Sequence, residues 1–145
     1  MRSLLFLALM MGMVSLASCT KEEVEFAVSF EELMVTELCT PEDETLSEET
    51  FIIRSQEEYT ARTACMVGAP EVDFSKRYVM GGWKTVEGCA AVDKQELRVR
   101  KTTLHYDVDV LSEECDTATT VYYMVSLPLG YAKYETEINV QVSDL

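Results

Sequence analysis

Positive charge is scarce in this chain: 12 Lys and Arg stand against 26 Asp and Glu, a formal net charge of −14. Nucleic acid and anionic lipid surfaces are therefore poor partners, since both require a basic face. Histidine is scarcer still, with His105 alone. Alternation places it on the polar face of a strand, where a lone imidazole is solvent-facing decoration rather than a general base. No cysteine pair has C-x-x-C spacing, which argues against a zinc ribbon or a thioredoxin-like site. There is no G-x-S-x-G elbow, H-E-x-x-H helix or phosphate-cradling glycine loop. Among 26 acids some close carboxylate pair is inevitable, so a glycosidase-type pair carries no signal and a small hydrolase is the minor alternative. No internal repeat or low-complexity tract interrupts the chain. No cofactor and no metal are expected.

What is present begins with Cys19. Arg2 supplies one positive charge, residues 4–16 carry none, and Leu16-Ala17-Ser18 precedes the cysteine. This is the anatomy of a bacterial lipoprotein signal, 1–18, with Cys19 as the lipidated residue. The apolar run falls short of the roughly 20 residues that cross a bilayer. Each buried acyl methylene contributes about 0.8 kcal/mol, so two or more chains on Cys19 hold the protein to a membrane. Residues 19–23 form the tether, and Lys21-Glu22-Glu23 resembles the tag that directs Bacteroidetes lipoproteins to the outer face of the outer membrane. The expected location is the outer membrane, at the cell surface or otherwise on the periplasmic side. Without residues 1–18 the chain keeps 127 residues, 11 basic and all 26 acidic, a net charge of −15. That length makes one domain, 24–145.

Four cysteines remain, Cys39, Cys65, Cys89 and Cys115, and an even number in an exported protein reads as two disulfides. Three pairings are open. The order of elements favours Cys39 with Cys65 and Cys89 with Cys115, the second bridge clipping one strand to a later, returning one.

Along the domain, Val24, Phe26, Val28 and Phe30 alternate as a strand with one buried face. Residues 33–39 are ambiguous between a strand and a helical turn, and the acid-rich stretch 40–50 reads as a loop. Its carboxylates Glu42, Asp43, Glu44, Glu48 and Glu49 lack the periodicity and central glycine of a calcium loop. Phe51-Ile52-Ile53-Arg54 is a strand, and Ser55-Gln56-Glu57-Glu58 spells a capping box for one short helix to about Cys65. Gly81-Gly82, within the strand Tyr78 to Trp83, calls for a bulge or a close backbone approach. Beyond Gly88 the chain reads as β throughout. Thr102-Thr103 is the expected turn of a hairpin that pairs Arg98 with Asp107 on the wet face and gathers Leu97, Val99, Tyr106 and Val108 on the dry one. Val121, Tyr123, Val125 and Leu127 form another alternating run, ended by Pro128. Tyr134, Thr136, Ile138, Val140 and Val142 make the last strand. The predicted fold is α+β: a mainly antiparallel, curved, disulfide-stapled sheet closed over by one short capped helix.

The order Phe51 to Tyr59, Val72-Asp73-Phe74-Ser75-Lys76, Gly81-Gly82, Gly88-Cys89, and Val121-Tyr122-Tyr123 to Leu127-Pro128 resembles the C-terminal domain of the PrcB family of protease-complex subunits, and more closely small Bacteroidetes lipoproteins of that type. The resemblance implies a lipoprotein that accompanies a surface protease as a non-catalytic subunit, and it carries over no catalytic residues. A binding or accessory role is expected, with a protein partner, and the alternative is a carbohydrate-interacting surface module. Trp83, Tyr78 and Tyr122 are the candidate binding aromatics, each combining contact area with a polar tip; the competing reading of Trp83 is core filling above the glycines. Asp116-Thr117-Ala118 resembles an O-glycan acceptor, with Thr117 the modified residue, and equally reads as an ordinary turn.

Overall fold

The computed structural model describes residues 24–35 and 47–145. The expected signal 1–18, Cys19, the tag Lys21-Glu22-Glu23, Cys39 and the acids Glu42, Asp43 and Glu44 lie outside the described residues. In chain order the elements are β1 (Glu25–Ala27), β2 (Glu31–Glu32), β3 (Glu48–Ile53), α1 (Gln56–Thr63), β4 (Arg77–Arg100), β5 (Thr103–Pro128), a 3-10 turn (Leu129–Tyr131) and β6 (Glu135–Asp144). As expected, the protein is a mainly antiparallel sheet with one short helix.

β4 and β5 form one antiparallel hairpin along nearly their whole lengths, and the remaining strands attach to its edges. β1 and β3 pair with opposite ends of β4, and β2 pairs with β5. β6 departs from the antiparallel rule: it runs parallel to β5, with Thr103 opposite Glu135. Only a few residues separate the end of β5 at Pro128 from Glu135, whose N–H donates to the Thr102 carbonyl at 3.1 Å. The far end of β5 is thus brought back beside its own beginning, which requires the hairpin to roll over on itself. The register slips between Glu87 and Cys89 and again between Val92 and Lys94, and such bulges bend a strand and increase its twist. Gly88 sits at the first slip with φ +92°, a conformation that L side chains rarely adopt. The Cys89–Cys115 disulfide, with Cα atoms 5.6 Å apart, ties the two strands there as expected. Cys65 is also disulfide-bonded; its expected partner Cys39 lies outside the described residues.

Rolling creates two apolar layers. Between the facing halves of the hairpin lie Tyr78, Met80, Leu97, Val99, Leu104, Tyr106, Val108, Tyr123, Val125 and Leu127. Tyr106 and Tyr123, one from each half, meet edge to face at 5.9 Å between ring centres. On the outside of one half, Phe51, Ile53, Val79 and Met124 pack against Tyr59 of α1 and against Met66 and Val72 beyond it. The helix starts where the capping box places it. The Glu58 N–H donates to Ser55 Oγ at 3.2 Å, and the Glu58 carboxylate reaches back to accept from the Arg54 N–H at 3.0 Å. It ends at Thr63, two residues short of Cys65, and the Tyr59 hydroxyl donates to the Pro70 carbonyl at 2.8 Å, pinning the helix to the segment that follows.

Four local readings change. The first strand is confined to Glu25–Ala27, with Phe26 40% exposed, because after Val28 the chain leaves β4 and crosses to β5. The expected loop gives way to strand at Glu48, three residues before Phe51, because the two acids there have partners: Lys84 for Glu48, Arg62 for Glu49. The tight turn uses Lys101 and Thr102, Lys101 adopting φ 57°, so Arg98 faces His105 rather than Asp107. A shift of two residues keeps every side chain on its face, and Arg98 still donates diagonally to Asp107 at 2.6 Å. Asp116-Thr117-Ala118 is part of β5 rather than a turn.

Candidate binding cleft

The aromatic candidates take different places. Tyr78 is 1% exposed and Trp83 5% exposed, so both are core side chains, whereas Tyr122 is half-buried beside Trp83, with ring centres 6.5 Å apart. Trp83 and Tyr122 are directly opposite one another on β4 and β5, on the face that α1 covers. Here Glu49 organises a polar clasp. Its carboxylate accepts two N–H groups of Arg62, each at 2.9 Å, and the Trp83 indole N–H at 3.1 Å. The Arg62 guanidinium also lies 4.5 Å from the Phe51 ring centre. The hydrogen bonds from Arg62 hold the Glu49 carboxyl below the usual carboxylate range, burial opposing them. This arrangement fastens helix to sheet; its polar groups are engaged with each other.

A different region is left open. β3 pairs only with β4 and β6 only with β5, so among the described residues each offers an unpaired strand edge. The roll of the sheet brings these edges to the two sides of one cleft. One part, of about 380 Å³, is lined by Glu48, Thr50 and Lys84, by Tyr123, and by Ile138 to Gln141 of β6. An adjoining part, of about 320 Å³, is lined by Thr50, Phe51 and Ile52 on one side and Thr136 and Ile138 on the other. Alternation explains the lining. Phe51 and Ile53 point toward α1, which turns Glu48, Thr50 and Ile52 to the cleft side, and Ile52 remains 38% exposed. On β6 the inward set is Thr136, Ile138 and Val140, and the last two pack against the inner core.

Tyr123 reaches this cleft from within. Its side chain is 2% exposed, and its hydroxyl is buried with no hydrogen-bond partner among the described residues. Burial pushes that phenol up to about 12. The Tyr78 hydroxyl is likewise buried and unpartnered, but Tyr78 does not line the cleft. An unpaired buried hydroxyl costs about 1–3 kcal/mol, so such groups call for a partner. Lys84, by contrast, is ion-paired with Glu48.

The other expectations resolve individually. His105 sits where alternation places it, with Nδ1 3.1 Å from a Glu137 carboxylate oxygen on the outer face. Thr117 is exposed near the bend of the hairpin, accessible to modification. Among the described residues no group of three His, Cys, Asp or Glu is placed to hold a metal ion, and no helix is long and apolar enough to cross a membrane. Tyr123, Thr50, Ile52, Ile138, Asn139 and Gln141 escaped the sequence reading as site residues, because alternation distinguishes faces and says nothing about which edges meet. The sole hint was Gly81-Gly82: a methyl group on Gly82 would lie 2.8 Å from Tyr123 Cζ, so glycine leaves the room the ring occupies. No family model, curated protein or solved structure matches this chain.

Proposed function

We propose that this protein is an exported lipoprotein, held to the outer membrane through acylated Cys19 and displayed at the cell surface, that serves as a non-catalytic binding or accessory subunit. The observation that carries the reading is the cleft bounded by two strand edges that are unpaired among the described residues, a place where a partner completes the sheet. The Cys89–Cys115 bridge accords with an oxidising compartment, where structural disulfides persist. The resemblance to protease-complex subunits makes a surface protease the first partner to test. A second reading is a carbohydrate-interacting module, favoured by the hydrogen-bonding residues Thr50, Gln141 and Tyr123 that line the cleft.

Affinity capture of the intact lipoprotein from native membranes is the direct test. A protease recovered in stoichiometric amount supports the accessory role, and components of a glycan-uptake complex support the second reading. Recovery of the protein without any partner overturns the proposal, as does a membrane fraction unchanged by Cys19→Ser for its lipid anchor.

A further inference from the structure

We infer that the cleft binds an extended, basic peptide segment of a partner protein, which adds as a strand to the edge of β6 left open among the described residues and lies against β3. The inference rests on the binding-subunit reading and specifies its chemistry.

Three observations support it. First, a strand edge presents a row of main-chain N–H and C=O groups at the spacing of another strand, so the ligand that satisfies it best is itself an extended peptide. β6 offers ten residues of such edge and β3 another six. Second, the charges are one-sided. β3 and β6 contain no Lys or Arg, yet carry Glu48, Glu49, Glu135, Glu137 and Asp144. Glu49 is engaged by Arg62, Glu48 by Lys84 and Asp144 by the Ser112 hydroxyl, while Glu135 and Glu137 are exposed on the outward face of β6, Glu137 beside His105. An incoming strand therefore meets carboxylates on its outward side along the first half of β6, which selects Lys or Arg at two alternate positions there. Third, its inward side chains meet Ile52, Ile138 and Val140, which select apolar residues at the alternate positions, and the Tyr123 hydroxyl stands buried at the cleft with a hydrogen bond still to make. A saccharide would use the polar groups, but it would leave the peptide edge of β6 unpaired.

The test uses the purified protein and three named probes: a nine-residue peptide alternating valine and lysine, its valine–glutamate counterpart, and cellohexaose. Amide hydrogen exchange and NMR titration follow β3 and β6. The valine–lysine peptide should slow exchange along β6 and shift Thr50, Ile52 and Ile138, while the glutamate peptide and the oligosaccharide should not. Tyr123→Phe should weaken the lysine peptide by about fivefold, the equivalent of one hydrogen bond. Because that hydroxyl has no partner among the described residues, the same variant should melt no lower than the parent, which separates a binding role from a structural one. Glu135→Lys combined with Glu137→Lys should reverse the preference toward the glutamate peptide.

Unchanged β6 exchange with the lysine peptide, equal binding of both peptides, or protection by cellohexaose alone overturns the inference. The binding-subunit reading fails separately. If the double-lysine variant still captures the native partner from membranes, the subunit role stands and the cleft assignment falls; if the unaltered protein captures none, the role itself falls.

Discussion

The ring of Tyr123 fills the space that a side chain at Gly82 would need, the two residues being directly opposite each other on β5 and β4. Cζ of the tyrosine is 2.8 Å from where a Gly82 Cβ would stand, and Glu49 carbonyl oxygen closes the same space from β3. The neighbouring glycine solves the same problem on the other face, where Met124 Cγ would be 2.8 Å from a Gly81 Cβ. One glycine admits the inner core and the other admits the layer beneath the helix.

Gly82→Ala should accordingly lower stability by about 1–3 kcal/mol, the usual cost of overpacking a filled interior. Denaturant unfolding measures it. An unchanged midpoint would show that Tyr123 can move aside without cost.

Trp83→Ala should lower stability by about 3–5 kcal/mol, since it removes a buried aromatic and leaves a cavity against Tyr122. Arg62→Ala should cost only about 0.5–1 kcal/mol, because both members of its pair with Glu49 are about one-third exposed and solvent screens them. Tryptophan emission should nevertheless change in Arg62→Ala, because Glu49 also accepts from the indole. A stability loss for Arg62→Ala as large as for Trp83→Ala would contradict this division.

Asp73 makes a pH prediction. Hydrogen bonds from Ser75, followed by Lys76, lower its carboxyl from 3.8 to about 2. The folded state therefore binds the proton less readily than the unfolded chain, so the stabilisation is complete above about 4 and disappears as pH falls toward about 2. Carboxyl NMR titration should find the depressed value, and Ser75→Ala should move it upward. A midpoint near 3.8 in the unaltered protein would remove the Asp73 turn from the acid response.

Joint replacement of Cys89 and Cys115 by serine should destabilise the fold by ~3.5 kcal/mol, the chain-entropy expectation for a separation of 26 residues. Non-reducing peptide mapping should recover the two cysteines in one linked fragment. Recovery of Cys65 joined to Cys89 would refute the pairing.

Much of the sheet was legible because period-two alternation is written locally. Leu97, Val99, Leu104, Tyr106 and Val108 are all buried, as the alternating run requires, and Ser55 and Glu58 cap the helix from within four residues. Even the misplaced turn left these faces intact, since an offset of two preserves the pleat. Less was legible at the candidate site. Tyr78 and Trp83 have the residue type of a binding platform, but hydrophobic aromatics bury as readily as they bind, and the rolled sheet encloses both. Nothing local distinguishes Ile138, which borders a cleft, from Val108, which lies sealed in the core.

From the amino-acid order alone came the side of each strand that turns inward and the start of the helix, because each follows from neighbours a few residues apart; it left three cysteine pairings open, and the fold joins Cys89 to Cys115. Tertiary structure alone decided that the hairpin rolls, that β6 returns parallel to β5, and that the edges of β3 and β6 left open among the described residues border one cleft. Those outcomes depend on contacts such as Tyr106 against Tyr123, made between distant parts of a bent strand. Their energy is collective, so no short stretch of sequence displays it.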